Sequence, residues 1–249
     1  MSRTPADDQV QPFDRGGATW RTVLFWCLLG IPVLFIVLIP FTGFNPFLVP
    51  IIVIPALAAF FVRRGGRGGV IFALVVFVLM LLLNGPFFLL PALALPVSTG
   101  DFISAAILSV LIVVGLIAAI AILMRGDRPS SAVGKAIWAG AGVVVVAVVV
   151  AIAARVTHED ATPQPGDVRL TAEGIEFSTD RLEADSGTVG VFVSNNDQTL
   201  HTFTIDELDV NLQVPASSKE HVSFEAPPGK YVFYCMPHES VMKGTLTVR

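Results

Sequence analysis

The sequence predicts a membrane all-α bundle of about five transmembrane helices, followed by an all-β sandwich with Greek-key connections. Hydrophobic residues make up 53% of the 249 residues, and the mean hydropathy is +0.73, above the values typical of soluble domains. The apolar excess lies in the first 155 residues, where charge-free runs recur. From residue 167 onward, alternating apolar and polar residues between turn-forming residues predict short strands.

Five apolar runs are candidate transmembrane spans, at residues 22–40, 46–62, 70–95, 102–124 and 136–154. A helix needs about 20 residues to cross the hydrocarbon layer, and only the second run is short for that length. The tripeptide Asn84-Gly85-Pro86 is expected to kink or end the third helix. No Asp, Glu, Lys, Arg or His lies inside any run. Because such residues usually mark ion or proton pathways, a transporter is poorly supported, although membrane partners could supply the missing charges.

Basic residues in the connecting segments predict the orientation. Nine Lys and Arg residues lie before the first run, between the second and third runs, or between the fourth and fifth runs. The other two connections contain no Lys or Arg. Basic segments stay on the cytoplasmic side, so the N-terminus is expected in the cytoplasm and the C-terminal part outside a prokaryotic plasma membrane. About twenty polar residues precede the first run without a cleavage site, which indicates a retained anchor. The basic residues are Arg3, Arg15, Arg21, Arg63, Arg64, Arg67, Arg125, Arg128 and Lys135.

These patterns divide the chain into four parts. Residues 1–21 form a cytoplasmic tail, 22–155 the transmembrane region, 156–166 a proline-containing linker, and 167–249 the outer domain. Strands are predicted at 168–172, 174–177, 188–194, 200–205, 220–225, 230–235 and 244–248. From residue 156 the net charge is −9, against +5 before it. An acidic outer domain favours a basic protein partner.

A cluster of metal-binding residues lies near the C-terminus. Cys235, His238 and Met242 form a C-x2-H-x3-M pattern, and His201 precedes the cysteine by 34 residues. Two imidazoles, one thiolate and a weak axial thioether are the ligands of a blue-copper electron-transfer site, and the two sulfur ligands favour copper over zinc. The other cysteine, Cys27, lies in an apolar run, so a disulfide is not expected and Cys235 remains a ligand or reactive thiol.

Three segments carry a family resemblance. Residues 176–187, 195–203 and 227–235 resemble the opening strands, the first-histidine loop and the strand leading to the cysteine in cupredoxins, of the plastocyanin and amicyanin type. The resemblance implies one type 1 copper ion, with His201, Cys235 and His238 as equatorial ligands and Met242 as the axial ligand. Because His238 lies in the loop that follows Cys235, it is expected to be the exposed edge for electron exchange. The His-to-Met spacing departs slightly from the family, which affects the axial bond.

The leading functional hypothesis is a membrane-anchored blue-copper protein that transfers single electrons on the outer face of the plasma membrane. Its partners would be the bilayer and a redox protein with a basic face, such as a cytochrome, and no nucleic acid. The alternative is an extracytoplasmic copper sensor or delivery protein without electron transfer. Copper oxidases and nitrite reductases need a further histidine-rich centre, and the chain has only four histidines, so a carrier is expected rather than an enzyme.

Overall fold

The computed structural model describes residues 19–42 and 46–249. Most of the predicted cytoplasmic tail, with Arg3 and Arg15, lies outside these residues, as does most of the first predicted outer connection. The helical part comprises α1 Trp20–Thr42, α2 Leu48–Arg64, α3 Arg67–Asn84, α4 Leu90–Ala94, α5 Thr99–Arg125 and α6 Ser131–Thr157.

Four of the described helical segments are long and apolar enough to cross a membrane: Trp20–Pro40, Arg67–Ala94, Thr99–Arg125 and Ser131–Thr157. The third predicted run is interrupted at the expected place, because α3 passes through a π-helical turn, Gly85–Leu89, into α4. The second run forms α2, which has 17 residues. It is shorter than α1, α5, α6 and the continuous segment Arg67–Ala94 that contains α3 and α4. The predicted bundle of about five helices is confirmed.

Helix α5 lies at the centre of the bundle and packs against α1, α3 and α6. Gly115 allows a close approach there, since a Cβ atom at this position would collide with the ring of Phe77. Apolar side chains also cover the outside of the bundle, for example Leu83, Val146 and Trp138, which are 66%, 62% and 79% exposed. Helices that are apolar on all faces are typical of a lipid environment.

The C-terminal part forms two sheets, one with the order β2-β1-β4-β7 and the other with the order β3-β9-β8-β5-β6. Side chains from both sheets meet in one core, which includes Leu170, Val191, Phe203, Phe233 and Leu246. The predicted all-β sandwich is therefore confirmed. The strands are β1 Val168–Glu173, β2 Glu176–Phe177, β3 Arg181–Ala184, β4 Gly187–Asn195, β5 His201–Ile205, β6 Val210–Val214, β7 Lys219–Ala226, β8 Gly229–Tyr234 and β9 Lys243–Val248.

The sandwich is docked against one end of the bundle. The carboxylate of Asp101, in the first turn of α5, accepts a hydrogen bond from the backbone nitrogen of Leu200 at 2.8 Å. Just before α5, the hydroxyl of Ser98 accepts one from the backbone nitrogen of Ala216 at 3.1 Å. At the end of α6, the Arg155 guanidinium donates to the carbonyl of Ser217 at 2.6 Å. These contacts hold the loop that leads into β5 and the connection between β6 and β7 beside the helix ends.

Candidate metal centre

Three elements of the sandwich carry the predicted ligands. His201 is the first residue of β5, and Cys235 follows the last residue of the neighbouring strand β8. His238 ends a 3₁₀ turn, Met236–His238, and Met242 immediately precedes β9. Strand pairing therefore brings together residues that are 34 positions apart in the sequence.

The donor atoms of three of these residues converge. The sulfur of Cys235 lies 3.4 Å from Nδ1 of His201 and 3.6 Å from Nδ1 of His238. All three donor atoms lie within 4.8 Å of one another. Two donors bonded to one ion at about 2.0 and 2.3 Å can be no farther apart than about 4.3 Å, so both distances to the sulfur suit a shared ion.

The loop between Cys235 and Met242 is closed by its own backbone. Cys235 donates through its nitrogen to the carbonyl of Met242 at 2.9 Å, and Met242 donates to the carbonyl of His238 at 2.8 Å. Cys235 and Met242 are both fully buried and form a small apolar cluster with Ala172. The Met242 thioether therefore lies in the same buried environment as the Cys235 thiol, although the two residues are seven positions apart in the sequence.

Asp197 fixes the orientation of the His201 ring. Its carboxylate lies 2.8 Å from Nε2 of His201 and accepts backbone hydrogen bonds from Gly174 and Ile175 at 2.8 and 3.0 Å. Both turn residues have positive φ, 65° and 62°, which is unusual for a β-branched residue such as Ile175. A hydrogen bond that places the proton on Nε2 leaves the lone pair of Nδ1 free for an ion.

A comparison with known protein families identifies the sandwich that carries these residues. Residues 143–248 match the family model of the cupredoxin-like domain. The C-terminal part of the chain is a cupredoxin-like domain. This finding confirms the predicted family resemblance, which does not extend to the rest of the helical bundle.

Solved structures of amicyanin are similar to this cupredoxin-like domain. One is a reduced Cu(I) form of an amicyanin variant at pH 4, with 17% identity and a TM-score of 0.31, covering 35% of this chain and 86% of its own. Amicyanin from Paracoccus versutus has 15% identity and a TM-score of 0.30, covering 35% of this chain and 85% of its own. No curated protein matches the sequence.

Thr202 connects the two ligand-bearing segments of the cupredoxin-like domain. Its backbone nitrogen donates to the sulfur of Cys235 at 3.4 Å. Its hydroxyl accepts a hydrogen bond from the backbone nitrogen of Met236 at 2.8 Å and lies 3.0 Å from the hydroxyl of Thr204. Thr202 therefore holds the start of β5 against the loop that carries His238.

Burial favours the neutral forms of both candidate histidines. Burial lowers the pKa of His201, although the hydrogen bond that His201 donates to Asp197 acts in the opposite direction. Burial, together with repulsion from His201, lowers the pKa of His238 to about 4. Burial also raises the pKa of the Cys235 thiol. Because metal ligands bind as neutral imidazole and as thiolate, the pocket suits the two imidazoles at neutral pH, and an incoming cation must displace the thiol proton.

The remaining histidines of the chain do not approach this site. His158 pairs with Glu220, at 3.1 Å, and His221 pairs with Asp167, at 3.1 Å. The sequence did not point to Asp197, whose Asn-Asn-Asp context is an ordinary turn signal, or to Asn195. The Asn195 amide is buried, and its Nδ2 lies 2.9 Å from the carbonyls of Thr199, Val214 and Pro215.

The surroundings of His238 differ from the sequence expectation of a ring edge open to water. His238 is half-buried, and together with Pro237 it lines a cavity of about 340 Å³ whose other walls include the ends of α1, α4 and α5. Sequence analysis could not detect this neighbourhood, because the helices that form it lie more than 100 residues earlier in the chain.

Proposed function

We propose that this chain is a membrane-anchored type 1 copper protein that transfers single electrons. The convergence of the Cys235 sulfur with the Nδ1 atoms of His201 and His238 carries the proposal. These three residues are assigned as equatorial ligands, and Met242, buried beside Cys235, as the axial ligand. Bound copper supplies a Cu(II)/Cu(I) couple, and this donor set suits both oxidation states.

The protein would hold these ligands in the same positions in both oxidation states of bound copper. His201, Cys235 and Met242 have no exposed surface, so water is kept from three sides of the site. Asp197 holds the first imidazole, and Thr202 ties the two ligand segments together. A site with fixed ligands needs little rearrangement when its charge changes by one, which favours fast electron transfer over catalysis of a bond-making reaction.

We place the cupredoxin-like domain outside the plasma membrane of a prokaryote. Arg21 pairs with Asp127 at 3.1 Å and donates to the carbonyl of Val62 at 3.0 Å, so the start of α1, the end of α2 and the α5–α6 connection share one end of the bundle. That end carries the described basic residues of the connecting segments, as expected for the cytoplasmic side. The sandwich docks through Ser98 and Asp101 beside the connection that has no basic residue.

The acceptor of the electrons is proposed to be a protein with a basic face, such as a cytochrome. Tyr234, covalently next to Cys235, donates a hydrogen bond to Asp206 at 2.9 Å. That hydrogen bond raises the pKa of Tyr234, and the nearby charges of Glu207 and Glu239 add to the effect. Asp206, Glu207 and Glu239 therefore form an acidic surface around Tyr234, the residue next to Cys235 in the sequence, where a basic protein can bind. Association there should weaken as salt is added.

An absorption spectrum tests the electron-transfer proposal against copper delivery. The full-length protein in detergent, loaded with Cu(II), should turn intensely blue, lose its colour with ascorbate and regain it on reoxidation without loss of copper. A matched sample loaded with Zn(II) controls for metal-induced folding. Colourless protein that binds only Cu(I), or that gives its copper to a mild chelator on reduction, would support the delivery function and contradict the proposal.

A further inference from the structure

The cavity beside His238 joins the candidate metal centre to the membrane region. It holds about 340 Å³, within the range of about 300–1,000 Å³ of typical small-molecule sites. Its apolar walls come from the outer ends of the helices and include Phe35, Leu48, Phe87, Phe88, Pro91 and Ala92. Thr199, Leu200, Pro237 and His238 close it from the cupredoxin-like domain.

A helix irregularity shapes the apolar wall. Phe87 and Phe88 belong to the π-helical turn Gly85–Leu89, and π-helical turns within α-helices are frequent at functional sites. Phe87 is 84% exposed on the surface of the bundle and also lines the cavity. A lipid-soluble molecule could therefore reach the cavity directly from the outer leaflet.

Among the described residues that line the cavity, the polar side chains come from the start of α5 and from the cupredoxin-like domain. These are the hydroxyls of Ser98, Ser104 and Thr199, the carboxylate of Asp101 and the ring of His238. Nδ1 of His238 faces the sulfur of Cys235, so the other edge of the ring is the part available to the cavity. An occupant would need an apolar body toward the helices and a polar, redox-active group within contact of this ring.

We propose that this cavity binds a membrane-dissolved hydroquinone and that its electrons enter the copper centre through His238. The inference rests on the proposed function, because Cu(II) is the oxidant. With copper held by His201, Cys235, His238 and Met242, the site would take the two electrons of one hydroquinone one at a time, and the basic redox protein would remove the first before the second arrives. The quinone would then leave the cavity, and its two hydroxyl protons would pass to water at the outer surface.

This assignment gives the multi-helix region a role that one anchoring helix could not fill. Helices α1, α2, α4 and α5 each contribute to the cavity wall, and Asp101 fixes the sandwich so that His238 lies at its mouth. A hydroquinone has an apolar ring and tail, two hydroxyl donors and a two-electron couple. An acyl chain of a lipid would fit the apolar walls equally well but would leave the polar end unused.

Binding is tested on the metal-free, full-length protein in nanodiscs with an azido-benzoquinone photoprobe. We expect labelling of peptides that contain Phe87, Phe88 or the 197–203 loop, with competition by decylubiquinone. The Ala92→Trp variant fills the cavity and should abolish labelling, whereas Leu90→Trp, on the exposed side of the same helix, should not. Labelling that is absent, unaffected by decylubiquinone or unchanged in the Ala92→Trp variant would overturn the proposal, as would a tightly held lipid that decylubiquinone cannot displace.

Electron entry is tested on the copper-loaded protein by stopped-flow bleaching of the blue band. With decylubiquinol, the Ala92→Trp variant should react at least about tenfold more slowly than the parent and the Leu90→Trp control. With ascorbate all three should react at the same rate. Equal decylubiquinol rates would overturn the proposal. Absence of any blue band would instead refute the copper function, while the photoprobe result would still decide whether a quinone binds.

Discussion

The carboxylate of Asp101 lies 2.8 Å from the backbone nitrogen of Leu200 and accepts its hydrogen bond. Asp101 belongs to a helix with the composition of a membrane span, and Leu200 immediately precedes the candidate ligand His201. The same carboxylate lies 3.4 Å from the hydroxyl of Thr199. The helical bundle therefore holds the ligand loop directly, and changes at the membrane surface should reach the metal centre.

Replacing Asp101 with Ala should loosen this loop. The half-buried Leu200 N–H would lose its acceptor, which costs about 1–3 kcal/mol and corresponds to local exchange about 5- to 150-fold faster. Hydrogen-exchange mass spectrometry of peptides covering 197–203 measures the effect. Asp101→Asn keeps an acceptor oxygen and should retain most of the protection, while Asp180→Ala, at an exposed site, serves as a control. Unchanged exchange in Asp101→Ala would show that the contact between Asp101 and Leu200 does not stabilise the loop.

Thr202 should be needed for holding the two ligand segments together. Thr202→Val removes the acceptor of the Met236 N–H and leaves this half-buried donor unpaired, at a cost of about 1–3 kcal/mol. The variant should lose copper to a chelator faster than the parent, by about fivefold or more. Thr202→Ser retains the hydroxyl and should behave like the parent. Equal loss rates for the Val and Ser variants would exclude this role of the hydroxyl.

The reduction potential should respond to Pro237. Proline has no N–H, and the Cys235 sulfur accepts a backbone hydrogen bond from Thr202 at 3.4 Å. Pro237→Ala supplies a further N–H that can donate to the thiolate, and this donor stabilises the reduced site more, because the sulfur carries more negative charge with Cu(I) than with Cu(II). A hydrogen bond worth about 1 kcal/mol corresponds to about 40 mV in a one-electron couple, so the potential should rise by about that amount. Voltammetry measures it, and an unchanged or lowered potential would contradict the reasoning.

Much of the fold followed from sequence, and two missed strands show where pattern reading fails. Strand β3, Arg181–Ala184, has one buried side chain, Leu182, so no alternation marks it. It forms by parallel pairing with β9, more than 60 residues later. Strand β6, Val210–Val214, does alternate, but a 3₁₀ turn and a left-handed Asp209 join it to β5 instead of a glycine-rich turn.

The candidate site also combines residues that the sequence predicted with contacts that it did not. Residue type, order and spacing predicted the group formed by His201, Cys235 and His238. A tight loop sets the separation of Cys235 and His238, and the pairing of β5 with β8 brings His201 beside them. Asp101 was not predicted as a contact of that group, since it joins surfaces that are 99 residues apart in the chain. For the same reason sequence placed His238 at an open surface, whereas it lines the cavity beside the helices.

The metal-free cupredoxin-like domain should lose stability as the pH falls. Burial and repulsion from His201 lower the pKa of His238 in the folded protein from its ordinary value of about 6.5 to about 4, and burial also lowers the pKa of His201. The unfolded chain therefore binds more protons below about pH 6.5, and stability decreases from there to about pH 4. Hydrogen exchange in β5 and β8 follows this change. His238→Asn should flatten the dependence, and a parent protein with equal protection at pH 7 and pH 4.5 would contradict the assignment.

Electron paramagnetic resonance of the Cu(II)-loaded full-length protein tests the central claim most directly. Sulfur from Cys235 should dominate the bonding, so the parent should give the narrow parallel hyperfine splitting of a type 1 site. The Cys235→Ser variant, at the same copper loading, should give the wide splitting of ordinary Cu(II) or bind no copper. A Cys235→Ser spectrum identical to that of the parent would contradict the account.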